Sequence, residues 1–174
     1  MDGAHKSIDV SFVHVRLAEP ADYDAIANLI VETYIGEGFS TPAQRAWLAS
    51  VHRTADATVL VAGDGKQLLG CVTVVSPPSP LVQIAADNEA EIRLLVVTPQ
   101  ARSRGVGKAL TLEAIERARQ AGRSAIVLST QTAMLSAQRL YARLGFERTP
   151  AKDWLRDERQ FLAYRLPLSV PKSS

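Results

Sequence analysis

The chain has 174 residues, 47% hydrophobic and 22% charged, which suits one globular domain with a sizeable core. Its formal net charge of +2 comes from 20 basic and 18 acidic residues, a balance that speaks against nucleic acid as a partner. One cysteine, Cys71, excludes an internal disulfide and suits a reducing compartment; no apolar run reaches the ~18 residues of a membrane span, and MDGAHKSIDV is too polar for a secretory leader. The expectation is a soluble, cytoplasmic protein with no membrane partner.

In chain order, SFVHVRL (11–17) predicts a strand that stops at Glu19-Pro20. Ile26, Leu29, Ile30, Thr33 and Tyr34 share one face at helical spacing and predict a helix over about 21–34. Thr41-Pro42 reads as an N-cap and first helical position, opening a second helix to about Val51. TVLVAG (58–63) and QLLGCVTVVS (67–76) flank Asp64-Gly65 and predict a hairpin. EIRLLVV (91–97) predicts a strand closing at Thr98-Pro99.

Ala109, Leu110, Leu112, Ile115 and Ala118 form the buried stripe of a third helix, which Gly122 stops. SAIVLST (124–130) predicts a strand covered on both faces. A fourth helix carries Ala133, Ala137, Leu140, Tyr141 and Leu144, and strands over 146–149 and 160–166 finish the chain around the loop PAKDWLRDE. The order is β-α-α-β-β-β-α-β-α-β-β. It implies a single domain over 11–168, with tails at 1–10 and 169–174.

TPQARSRGVGKALTL (98–112) joins a strand to a helix through two glycines and three cations. The first amides of a helix lack intrahelical partners and, with the helix dipole, attract phosphate. An ATP-type phosphate loop would need glycine at 102 and Ser or Thr at 109, where Arg102 and Ala109 stand. A dinucleotide fingerprint would need a third glycine where Leu110 stands.

What fits is R-x-x-G-x-G, Arg102-Ser-Arg-Gly105-Val-Gly107, after a strand ending LLVVTP. It resembles the pyrophosphate motif of the GNAT superfamily of acyl-CoA-dependent N-acyltransferases. AMLSAQRLYARLGF (133–146) resembles that family's N-x-x-A-x-x-L-Y-x-x-x-G-F at Ala137, Leu140, Tyr141, Gly145 and Phe146, with Met134 in place of the asparagine. The resemblance covers about residues 12–167. It implies an α/β (α+β) fold with a mixed, mostly antiparallel sheet of six to seven strands and about four helices, acetyl-CoA as co-substrate, no metal, and an amine acceptor. A homodimer is compatible with it.

By position the resemblance gives Leu95, Val96 and Val97 the pantetheine arm. The pyrophosphate falls to Arg102 and the loop Ser103, Arg104, Gly105, Val106, Gly107 and Lys108, with Ala137 and Tyr141 also at the coenzyme. Acetyl transfer to an amine requires an ammonium of pKa about 10 to lose a proton and a thiolate of pKa near 8.5 to gain one. The resemblance makes Tyr141 the proton donor and Glu91 the candidate base, either directly or through water. Arg93 shares the strand face of Glu91, so an ion pair that weakens the base is expected.

Acceptor selection falls to Tyr34, Glu37 and Phe39 and to the late loop with Asp153, Trp154 and Asp157, acids beside aromatics that suit a cationic amine. Cys71 reads as inert packing, and His5, His14 and His52 show no metal spacing. A non-catalytic acyl-CoA-binding module on the same fold is the alternative from a different class.

Overall fold

The computed structural model describes residues 13–169. Ser11 and Phe12 of the expected first strand, and all of the expected tails except Ser169, lie outside these residues. The elements are β1 (His14–Leu17), α1 (Tyr23–Gly36), α2 (Arg45–Ser50), β2 (Thr58–Gly63), β3 (Leu68–Val75), β4 (Glu89–Val97), α3 (Val106–Gln120), β5 (Ala125–Gln131), α4 (Leu135–Arg143), β6 (Glu147–Arg148), β7 (Trp154–Arg156) and β8 (Arg159–Pro167). No described helix is long and apolar enough to cross a membrane.

One sheet runs β1-β2-β3-β4-β5-β8-β6, with β7 pairing β8. Every pairing is antiparallel except β4 with β5. A parallel neighbour needs a crossover, and α3 supplies it across β2, β3, β4 and β5. On that face Leu110 and Ala114 pack with Leu60, Val72, Ile126 and Leu128. On the opposite face Ile26, Ile30 and Leu48, from α1 and α2, pack with Val61, Cys71 and Val96. Each of the three large side chains is fully buried and contributes about 1.5–3 kcal/mol.

β4 is irregular at its centre. Val96 pairs with Cys71 and Arg93 with Thr73, so Leu94 and Leu95 together face Val72, and Leu94 takes φ +58°. This is a β-bulge, which bends its strand and advances the side-chain phase by one residue. Before it, Ala90 and Ile92 point to the α3 face; after it, Leu95 and Val97 do. Leu94 and Val96 turn to the α1–α2 face.

Three expectations are corrected. The second helix opens with a 3-10 turn, Pro42–Gln44, and α2 proper covers only 45–50. The fourth helix begins at Leu135, which leaves Ala133 in the turn before it. The late loop contains β7, so the sheet has eight strands rather than six or seven. β7 and β8 close on Arg156 opposite Arg159 around Asp157 (φ +48°) and Glu158 (φ +65°). A two-residue hairpin with both centres left-handed ordinarily carries Asn or Gly, and neither is present to mark it.

Gly70 sets the spacing behind the bulge. A Cβ there would meet the Val96 carbonyl oxygen at 2.8 Å and the Leu110 side chain at 3.1 Å. Because the nearer atom is backbone, Gly70→Ala must displace β4 or α3. Urea unfolding is expected to show a loss of about 1–3 kcal/mol; a change below about 0.5 kcal/mol would mean the junction yields freely.

Candidate functional site

β4 and β5 part in mid-sheet. They pair from Glu89 with Ala125 to Ile92 with Leu128 and no further, although β4 runs on to Val97 and β5, held by β8, to Gln131. The bulge bends β4 away just beyond the last pair. Along Leu95, Val96 and Val97 the edge that faced β5 therefore has no partner strand, and its amides and carbonyls can take an extended ligand as an added strand would.

At the far end of this opening, Gly105 caps α3 with φ +87° and ψ +3°, and no side chain caps the helix. The first intrahelical bond comes from the amide of Ala109 to the Gly105 carbonyl, so the amides of Val106, Gly107 and Lys108 precede the helical ladder. Ser103 is also left-handed, at φ +62°. These features leave the backbone donors that an anion-binding helix start needs. Ser103, Arg104 and Lys108 are exposed beside it, while a Cβ on Gly107 would touch Leu140 at 3.4 Å and Val97 at 3.6 Å, so glycine there brings the helix close to the strand.

Arg102 departs from the expected role of its side chain. Its guanidinium makes a bidentate ion pair with Glu37 (2.5 and 3.0 Å) and donates from Nε to the Val97 carbonyl. Arg102 and Glu37, expected at the coenzyme phosphate and the acceptor, instead tie the loop to the end of α1.

Tyr141, on α4, is buried against the rings of Phe146 and Tyr164 at 5.5 and 6.3 Å. Burial, reinforced by nearby Tyr34, pushes its phenol above the ordinary tyrosine range and keeps it protonated. The hydroxyl of Tyr34 is likewise withdrawn from water and pushed up to about 12. Met134 precedes α4 without capping it, and its sulfur accepts from the Thr130 hydroxyl at 3.4 Å. Gln138 instead holds the helix start, donating to the carbonyls of Gln131 and Thr132. Ala137 packs beside the core from the same helix.

A cavity of about 110 Å³ opens where β4 and β5 part. Tyr34, Phe39, Trp47 and Phe161 supply its aromatic wall, and Ile92, Arg93 and Leu94 its β4 side. Tyr34 and Phe39 thus stand where the sequence puts the acceptor. Trp154 stands behind the wall, stacked on Phe161 at 4.0 Å and donating from Nε1 to Ser129. Asp153 is bound to Arg148 and the amide of Ala163.

Glu91 is fully buried, and its carboxylate accepts from the backbone amides of Gln83 (3.1 and 3.2 Å), Ile84 (2.8 Å) and Ala85 (2.8 Å). It anchors the 83–85 segment to β4, with Gln83 in the cavity wall. The expected ion pair with Arg93 does not form: Arg93 donates to the Leu81 carbonyl and lies over the Trp47 ring at 5.6 Å. Cys71 is buried and its thiol pushed up to about 12 by loss of solvent, as inert packing requires. Among the described residues, no group of three or more His, Cys, Asp or Glu is placed to hold a metal.

Sequence reasoning missed Trp47, Gln131, Arg156 and Arg159, all of which line the cavity. The alternation WLR-DE-RQF was the available signal for the two arginines, because it places them opposite each other across a turn.

The family model described as the acetyltransferase (GNAT) family matches residues 23–146. N-acetyltransferase 8B of Rattus norvegicus is 35% identical over 92 residues, 51% of this chain and 39% of that protein. Mycothiol acetyltransferase of Arthrobacter is 43% identical over 61 residues, 35% of this chain and 19% of that protein. The chain therefore spans well under half the length of these relatives. A GCN5-related N-acetyltransferase from Kribbella flavida superposes with TM-score 0.75 at 23% identity, over 92% of this chain and all of that one. A Bacillus subtilis acetyltransferase solved with CoA gives 0.66 at 19%, over 90% and 99%. Fold, loop and family model agree, and the chain belongs to the acetyltransferase (GNAT) family.

Proposed function

We propose that this protein transfers the acetyl group of acetyl-CoA to a primary amine by direct attack within a ternary complex. The observation that carries the reading is the opening between β4 and β5, with an uncapped helix start at one end and an aromatic cavity at the other. The bound coenzyme would supply an acyl thioester. The amides of Val106, Gly107 and Lys108 would hold its pyrophosphate, and the free edge of Leu95, Val96 and Val97 its pantetheine arm.

The amine nitrogen, freed of its ammonium proton, attacks the carbonyl carbon; the tetrahedral adduct collapses, the C–S bond breaks, the sulfur leaves as thiolate, and the new amide nitrogen gives its extra proton to water. Tyr141, kept neutral by burial, gives its phenolic proton to that sulfur and is reprotonated from water. Glu91 serves as a positioning residue: three backbone amides already claim its carboxylate, so the ammonium proton passes to solvent water in the cavity.

Acetyl-CoA is expected to raise the melting temperature, whereas ATP and NAD leave it unchanged. Gly105→Ala, which forces a side chain into a left-handed cap, should weaken acetyl-CoA binding at least tenfold. Absence of stabilisation by acetyl-CoA and CoA would overturn the reading. With an amine panel and thiol release as readout, Tyr141→Phe should lower kcat by at least about tenfold, the low end of general-acid effects being 10², with acetyl-CoA affinity retained. Parent-like turnover in that variant would remove the tyrosine from the chemistry.

Glu91→Gln places an NH2 group among three donors and should cost about 1–3 kcal/mol of stability, read by urea unfolding. A variant of unchanged stability with a selective collapse of kcat would instead make Glu91 the base.

A further inference from the structure

Resting on the acetyltransferase reading, we infer that the acceptor is a small amine that carries a carboxylate, an amino acid, bound by the guanidinium groups of Arg93 and Arg156. The cavity beside the strand opening is lined by three arginines, Arg93, Arg156 and Arg159, and by one acid, Asp157. Asp157 is exposed at the tip of the β7–β8 hairpin. Of the acids outside the lining, Glu37 pairs with Arg102 and Asp153 with Arg148, Glu91 sits behind Arg93 with its carboxylate on the backbone of 83–85, and Glu158 is exposed on the hairpin. The cavity thus presents excess positive charge to whatever enters it.

The three arginines differ in what holds them. Arg159 is engaged by the Gly38 carbonyl at 2.7 Å and the Gln131 side chain at 3.3 Å, which brings the hairpin against the end of α1. Arg156 lies over the Trp154 ring at 5.1 Å. Arg93 has only the Leu81 carbonyl and the Trp47 face. Burial works against its charge, Glu91 and Tyr34 partly offset that, and Arg156 adds like-charge repulsion. Two guanidiniums that line one cavity repel each other, a cost that a bound anion lowers, and their planar forks match a carboxylate bidentately.

Size and wall select further. The cavity, about 110 Å³ and open to solvent, has room for the reacting end of a small amine. Tyr34, Phe39, Trp47 and Phe161 favour an apolar body on it. A polyamine would meet like charge there.

The test uses the full-length protein and two readouts. In thiol release from acetyl-CoA, L-amino acids are compared with their own α-carboxamides and with putrescine. Free amino acids should exceed their amides at least tenfold in kcat/KM, and Arg156→Gln, on an exposed hairpin, should collapse that preference through KM rather than kcat. Independently of turnover, calorimetry with CoA present should show N-acetyl-L-phenylalanine binding at least tenfold tighter than N-acetyl-L-phenylalanine amide. Equal use of amides, better use of putrescine, or an unchanged preference in Arg156→Gln would overturn the inference while leaving acetyl transfer standing. Failure of acetyl-CoA to bind, with carboxylate binding intact, would instead overturn acetyl transfer.

Discussion

The bulge at Leu94 is the constraint on which the site depends. A parallel pair can remain paired only while both strands keep one direction, and the extra residue opposite Val72 turns β4 aside directly after its last bond to β5. β5 cannot follow, because β8 holds it through Gln131. The opening is therefore built from the mismatch of two well-paired neighbours, and it needs no mobile loop. It also explains why φ +58° is tolerated at a leucine: Leu94 is buried with Val96, Cys71 and the α1 side chains, and burial of that size outweighs the ~1–2 kcal/mol of a left-handed residue.

Around this opening, charge has been sorted. Several acidic side chains near the site are spent on structure, Glu91 on backbone amides, Glu37 on Arg102 and Asp153 on Arg148, while Asp157 stays in the cavity lining. Exposed ion pairs of this kind give little stability, about 0–1 kcal/mol; what the Glu37–Arg102 pair does is tie the loop before α3 to the end of α1 and neutralise a negative charge there. Arginines are left facing the cavity. Position relative to partners, rather than the near-neutral balance of the whole chain, decides what the cavity attracts.

The sequence made the element order legible because apolar runs and their breakers are local features: TVLVAG, the strand to Val97 and the span of α3 fall within a few residues of expectation, although Leu112 of the expected buried stripe is exposed. The glycine turn that opens α3 was legible for the same reason, since glycine spacing and helix start lie within six residues. The bulge was not, because EIRLLVV is apolar on both faces and a one-residue phase slip leaves no mark in such a pattern. The expected Glu91–Arg93 pair was not legible as absent, because the partners of Glu91 are the amides of Gln83, Ile84 and Ala85, whose side chains say nothing about them. The Glu37–Arg102 pair spans 65 residues, and the turn at Asp157-Glu158 lacks the glycine that marks such hairpins.

One strand thus serves four purposes in nine residues. Glu91 holds the wall segment at 83–85, Arg93 faces the cavity, Leu94 bends the strand, and Leu95 to Val97 offer the free edge. These functions are separable only because the bulge intervenes. In a regular strand, Arg93 and Leu95 would share a face by the period of two, and the cavity and the α3-side core would compete for it. With the phase advanced at Leu94, the residues before it build the cavity while Leu95 and Val97 return to the core under α3. The unpaired backbone edge is then held rigid by its own side chains, so a ligand lying along it meets a preformed surface and forfeits little affinity to ordering.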